Sequence, residues 1–440
     1  MRNNAHRHPH DVDTGSRECN IRPVKTPLVI DRHSHSLSRR NISPEALKVL
    51  YTLKECGFLG YLAGGGVRDL LLGRKPKDFD VVTDATPNQL RKVFRNCRLI
   101  GRRFRLAHIH FRDHIIEVAT FRSDSAPDTS AAAVSEDPPR HHAERDPGHS
   151  RHHPRPQHPA TLKTEDGLIL RDNVFGTPEQ DARRRDFTIN ALFYNIDGYG
   201  IIDYVGGLED LKHRLIRSIG DPMVRYAEDP VRMVRAVRFA AVLDCHIEPA
   251  TYEAIVRSHA IIAKASNARL YEEVLKLFLG GAAEKAYALL SRTGLFAAMF
   301  PQLSAWMKHS DSDYKTHWLR KACVKIDGWV RSGTEVTPAM MFAAMFADYH
   351  EDMAEQAALH HHIRLEKAIG IATIRHLAEL APRILIPRRV SEQITRILID
   401  GLRASEENPR DDHPSHHAHH AQHAQRPHGH HPATKSHHSR

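Results

Sequence analysis

Gly64-Gly65-Gly66-Val67-Arg68-Asp69, followed by Asp78-Phe79-Asp80-Val81-Val82-Thr83, is the stretch on which the reading of this chain turns. Glycines lacking Cβ let backbone N–H groups approach a phosphate closely, and a helix after them directs its positive end to the same place. Arg68 is then the expected neutraliser of that phosphate. Phe79 to Thr83 is rich in β-branched residues and reads as a strand. Side chains two apart on a strand share a face, so Asp78 and Asp80 point to one side and can share a divalent cation. Paired carboxylates suit Mg²⁺, a hard ion that also accepts phosphate oxygens, with Mn²⁺ as its substitute. Glu117, amid the apolar Ile115-Ile116 and Val118-Ala119, is a third acid whose charge a nearby cation would relieve. The alternative for the pair is a tight turn followed by a solvated strand end.

Working outward, Pro44 to Glu55 has helical spacing, with Ser43 as N-cap and Pro44 at the first helical position. Phe58 to Ala63 reads as a strand, Val67 to Leu72 and Pro87 to Phe94 as helices, and Leu106 to Phe111 with Ile115 to Phe121 as a hairpin. The expected fold is therefore α+β in the first half. From Gly207 the pattern is helical almost throughout, as in Thr251 to Ser258, Leu270 to Phe278 and Ala283 to Ser291, giving an all-α second half. The expected division is an unstructured end at 1–28 and a head domain at 29–206, carrying a flexible Ser/Ala/Pro/His/Asp-rich insertion at 123–163. A helical neck at 207–280, a helical body at 281–403 and a His-rich tail at 404–440 follow.

Lys and Arg total 63 against 53 Asp and Glu, a formal charge of +10 with the 35 His neutral, which favours a polyanionic partner. Cys19, Cys56, Cys97, Cys245 and Cys323 are scattered, with no Cys-x-x-Cys pair, which argues against a disulfide framework or a thiolate zinc site and for a reducing cytoplasm. No apolar run approaches the roughly 20 residues needed to span a bilayer, so no membrane partner is expected.

The order of motifs carries more than any one of them. Gly64 to Asp69, Leu70 to Val81 with its Asp78-Phe79-Asp80, Arg183-Arg184-Arg185-Asp186-Phe187-Thr188-Ile189-Asn190-Ala191-Leu192 and Glu228-Asp229-Pro230-Val231-Arg232 resemble successive motifs of the class II nucleotidyltransferases. That family is related in its head domain to DNA polymerase β and contains CCA-adding enzymes and bacterial poly(A) polymerases. The resemblance implies a polymerase-β-like head, ATP as substrate and RNA 3′ ends as acceptors, with catalytic roles for Asp78, Asp80 and Asp186 and the metal on Asp78 and Asp80; Glu117 joins the catalytic candidates from its place in the strand. Nucleotide binding would fall to Gly64, Gly65, Gly66, Arg68, Asp69, Arg185, Asp229, Arg232 and Arg235. For Asp186 the alternative is a structural carboxylate paired to an arginine.

Asp229 and Arg232 lie three apart, and Arg235 and Arg238 continue the spacing, while Met233, Val237, Ala240 and Ala241 form an apolar stripe. A carboxylate accepting from an exocyclic amine, beside a guanidinium donating to the adjacent ring nitrogen, fits adenine and cytosine and repels guanine and uracil. The pair leaves ATP alone and CTP plus ATP both open, and Asp229 before Pro230 also reads as a helix N-cap. Leu99 to Ile109 and Ile42 to Tyr51 resemble the poly(A) polymerase subgroup, which favours ATP-dependent tailing over CCA addition. Arg102, Arg103 and Arg105 within the first of these form a cationic surface suited to RNA phosphates, or else a solvated basic strand edge. A third reading is an RNA-binding protein without turnover.

Overall fold

The computed structural model describes residues 26–101, 105–123, 161–163, 169–172, 175–308 and 312–407. Arg102, Arg103 and most of the expected insertion and tail lie outside them. Within the described residues one sheet organises the first half. Its strands are β1 (Leu28–Ile30), β2 (Gly60–Ala63), β3 (Asp80–Thr83), β4 (Cys97–Ile100), β5 (Leu106–His110), β6 (Ile115–Thr120), β9 (Leu192–Asn195) and β10 (Ile201–Asp203), while β7 (Thr161–Lys163) and β8 (Ile169–Asp172) form a separate ladder. The sheet order is β1-β10-β9-β2-β3-β6-β5-β4, antiparallel except where β3 meets β6.

Strand alternation gives the sheet two different faces. Leu62, Val81, Val118 and Tyr194 are buried on one, beneath Val49, Leu50 and Leu53 of α1 (Pro44–Glu55). Ser43 caps α1 as its position suggests, its Oγ accepting from the Ala46 N–H at 3.1 Å. Tyr61, Val82, Phe121 and Phe193 pack on the other face against Ala182. Four further short helices complete the head: α2 (Gly65–Leu71), α3 (Pro87–Val93), α4 (Pro178–Arg184), which holds Ala182, and α5 (Gly207–Lys212). Thr86 with Gln89, and Thr177 with Gln180, form reciprocal capping boxes that fix the starts of α3 and α4.

The second half is helical: α6 (Pro222–Glu228), α7 (Val231–Leu243), α8 (Pro249–Ser258), α9 (Asn267–Phe278), α10 (Ala283–Thr293), α11 (Leu295–Met299), α12 (Pro301–Lys308), α13 (Ser312–Arg331), α14 (Pro338–His361), α15 (Leu365–Leu380) and α16 (Arg388–Glu407). A two-residue parallel ladder, β11 (Leu215–Ile216) with β12 (His246–Ile247), is the exception. Met233, Val237, Ala240 and Ala241 of α7 are buried as their stripe implies. The fold is thus the expected α+β head followed by helices.

Some edges differ from the sequence reading. α2 starts at Gly65, two residues before the first side chain large enough to show helical periodicity. β1 begins at Leu28 because pairing to β10 satisfies its backbone, which composition does not reveal. β7 lies inside the stretch read as flexible, and α16 runs past Arg403 to Glu407. No described helix is long and apolar enough to cross a membrane.

Candidate active site

The site is assembled by strand register. Ala63, the last residue of β2, pairs with Asp80, the first of β3, so the acid stands beside the turn at Gly64. Val81 pairs in parallel with Val118. One residue back along each strand, Asp80 and Glu117 are therefore neighbours on the opposite face, at a strand spacing of about 4.8 Å. Asp78 lies just before β3, close enough for its charge to act on Asp80. Asp80 keeps contact with solvent, yet the protein around it raises its pKa to about 6, chiefly by burial, then through Glu117 and Asp78, against the pull of Arg185.

Gly64 adopts φ +67° and ψ −127°. A side chain there would be strained, and its Cβ would sit 2.8 Å from Arg185 Nη1. Arg185 is fixed in that position: Nε and Nη2 donate to Asp181 Oδ2 at 3.1 and 3.0 Å, Nη1 donates to the Asn190 carbonyl at 3.1 Å, and the guanidinium lies over Phe193. Gly66 packs so that a Cβ would meet the Asp78 carbonyl at 3.4 Å, which keeps the glycine turn and the acidic segment together. Gly65 faces Arg68 in the same turn.

Arg68, expected to meet the phosphate, is held by side chains of the protein itself. It is 7% exposed, with Nε donating to Asp69 Oδ1 at 2.8 Å and Nη1 to Asn190 Oδ1 at 2.6 Å, over the Phe239 ring. It ties α2 to Asn190 and α7, and Asp69 is its counter-ion. Arg185 is the cation that the fold sets beside Gly64.

Asp186 is 9% exposed and saturated with donors. Oδ1 accepts from the Phe187 N–H and Asn190 Nδ2, and Oδ2 from Arg235 at 2.6 to 2.7 Å, which holds the carboxyl far below its usual range despite burial. Its partner is 49 residues away and not in its own arginine run. Arg235 also faces Glu273 of α9 at 3.8 Å, and Glu273 binds Arg238, so one ion chain joins head, α7 and α9. Asp186 and Arg235 are thus joined to each other across the head and α7.

Asp229 follows α6, and its side chain does not cap α7. Both carboxylate oxygens accept from Arg269 of α9, at 3.0 and 2.8 Å. A carboxylate has about four lone-pair sites, so two remain for a base amine. Arg232 donates through Nη2 to the Arg184 carbonyl at 3.2 Å, while its buried Nη1 forms no hydrogen bond and faces Glu228 Oε2 at 4.0 Å. Burial, then the nearby charge of Arg225, lowers its pKa. Arg105 is exposed at the head of β5. Arg269 escaped sequence reasoning because its partner lies forty residues away and Asn267-Ala268-Arg269 carries no local signal.

Among the described residues no three His, Cys, Asp or Glu side chains converge tightly enough to hold a metal unaided. The oxygen donors of Asp78 and Asp80 nevertheless suit Mg²⁺ whose remaining ligands are phosphate oxygens and water, and the raised pKa of Asp80 marks negative charge that a cation would offset.

The poly(A) polymerase head-domain family matches residues 60–217, and the family described as the probable RNA- and SrmB-binding site of polymerase A matches residues 244–307. Poly(A) polymerase I of Salmonella typhimurium is 43% identical over 86% of this chain and 76% of its own length. The chain belongs to the poly(A) polymerase family. The CCA-adding enzyme of Lactobacillus helveticus, at 33% identity over 57% of this chain and 54% of its own length, is a more distant relative of this family member. A solved structure of a CCA-adding enzyme in its apo form, 18% identical with a TM-score of 0.50, covers 90% of this chain and 91% of its own and shares the fold. Membership makes the protein a nucleotidyltransferase, with the nucleotide substrate and divalent metal general to such enzymes.

Proposed function

We propose that the protein adds AMP from ATP to RNA 3′ ends without a template. The observation that carries this reading at residue level is the pairing of Ala63 with Asp80, which joins an acidic cluster to a glycine turn backed by a fixed arginine. The RNA 3′-hydroxyl oxygen bonds to the α-phosphorus of ATP, the bond from that phosphorus to the bridging oxygen breaks, and pyrophosphate leaves. Gly64, Gly65 and Gly66 admit the triphosphate close to the backbone, and Arg185 offsets its charge. Asp78 and Asp80 would hold Mg²⁺, which when bound favours ionisation of the hydroxyl and offsets the charge of the departing pyrophosphate. The Glu117 carboxylate, beside Asp80 on the same face, would accept the hydroxyl proton.

Asp229 accepts from the adenine amine and the Arg232 guanidinium donates to the neighbouring ring nitrogen. Arg68, Asp69, Asp186 and Arg235 position these groups from behind. RNA reaches the site across the basic surface that includes Arg105, with Arg102 and Arg103 assigned to it from sequence. The cytoplasm is the compartment that suits the scattered free thiols. Primer extension with ATP, CTP and Mg²⁺ tests the reading: ATP should be incorporated and CTP poorly, whereas equal use of both would favour CCA addition, and RNA binding without incorporation would favour a non-catalytic protein.

A further inference from the structure

Glu117 stands between two neighbours of opposite effect. Toward β3 is Asp80, whose ionisation it opposes. Toward β5 its direct cross-strand partner is His108, whose Nε2 lies 3.4 Å from Glu117 Oε1. Glu117 is half exposed and His108 largely enclosed, its side chain 19% exposed. His108 Nε2 is shielded from water and forms no hydrogen bond. A buried polar nitrogen without a partner is unfavourable, and a small turn of either side chain would satisfy it through the carboxylate. His110, on the same face, has its ring 6.2 Å from that of His108 and crowds it from the side. A histidine that merely decorated a sheet surface would turn this nitrogen to solvent.

We propose that His108 is a positioning residue for Glu117, its Nε2–H engaging Oε1 and leaving Oε2 for the side facing Asp80. Without that contact Glu117, repelled by Asp80 and half in water, has no fixed place among the described residues. Glu117 adds its charge beside Asp80, which would hold the metal, so a partner that orients it affects both metal affinity and turnover when removed. The inference rests on the polyadenylation reading for its turnover arm alone.

The experiment compares His108→Leu, which removes the donor, with His108→Gln, whose amide nitrogen reaches the place of Nε2, each also in a Glu117→Gln background. Mn²⁺ binding is followed by electron paramagnetic resonance with a non-hydrolysable ATP analogue, alongside kcat and KM for ATP. His108→Leu should weaken Mn²⁺ binding and lower kcat by about 10- to 100-fold, with KM for ATP little changed. His108→Gln should recover most of both losses, and in the Glu117→Gln background His108→Leu should add nothing. Unchanged Mn²⁺ binding in His108→Leu, or an equal loss in the Glu117→Gln background, would overturn the proposal. A wild-type protein that bound Mn²⁺ but extended no RNA would defeat the polyadenylation reading and leave the binding comparison intact.

Discussion

Replacing Arg269 with Ala removes the clamp on the carboxylate assigned to adenine. Two charged hydrogen bonds, at 2.8 and 3.0 Å, are lost. Such bonds are each worth about 1.5–3 kcal/mol when shielded. Arg269 is 41% exposed and Asp229 16%, so solvent screening brings the pair toward about 1–2 kcal/mol. If that energy serves to hold Asp229 for the base, kcat/KM for ATP should fall by about 5- to 30-fold. CTP should lose less, because a freed carboxylate can follow a smaller ring, so the preference for ATP should narrow. Arg269→Lys keeps the charge without the two-pronged geometry and should fall between. Steady-state incorporation of each nucleotide on one primer measures this, with thermal melts as a folding control. An unchanged kcat/KM for ATP in a folded Arg269→Ala protein would refute the assignment of Asp229 to the base.

Asp186→Asn should destabilise the fold by about 3 kcal/mol in urea denaturation at pH 7, the lower end for a broken buried pair because Arg235 retains Glu273. The depressed pKa of Asp186 gives stability that is present above about pH 4 and lost on acidification below it, and the variant should lack that dependence. Asp80→Asn should act oppositely on fold and function. A carboxyl raised to about 6 opposes folding once ionised, so the variant should melt no lower than wild type at pH 7 while losing activity, and a lower melting temperature would contradict this. His350 and His376, in contact at 2.7 Å between α14 and α15, are held neutral mainly by burial, His376 lowered to about 4. The unfolded chain takes up protons first as pH falls below about 6.5, so His376 alone should cost about 2 kcal/mol of stability at pH 5. His376→Phe should flatten that decline, and parallel profiles of Tm against pH would count against it.

What the sequence reveals is what short-range chemistry decides. Ser43 and Pro44 announce α1 because a cap and a fixed φ act within one turn. Alternation gives β5 and β6, and the i, i+2 spacing of Asp78 and Asp80 is local too. Arg68 turns inward because Asn190, 122 residues on, accepts from it, and nothing near Arg68 announces that partner. Arg185 beside Gly64, Arg235 on Asp186 and Arg269 on Asp229 are likewise products of the assembled fold. β1 and β10 are three-residue strands whose pairing exists only across the chain. The motifs therefore locate the chemistry, while the division between groups that touch substrate and groups that hold them depends on tertiary contacts.

The most direct test of the central claim follows the fate of an RNA primer given ATP and Mg²⁺, with wild-type protein and Asp80→Ala side by side. Wild type should lengthen the primer with adenylate and release pyrophosphate, and Asp80→Ala, still folded and still binding RNA, should do neither. Adenylate addition that survives loss of the Asp80 carboxylate would contradict the site built on β3.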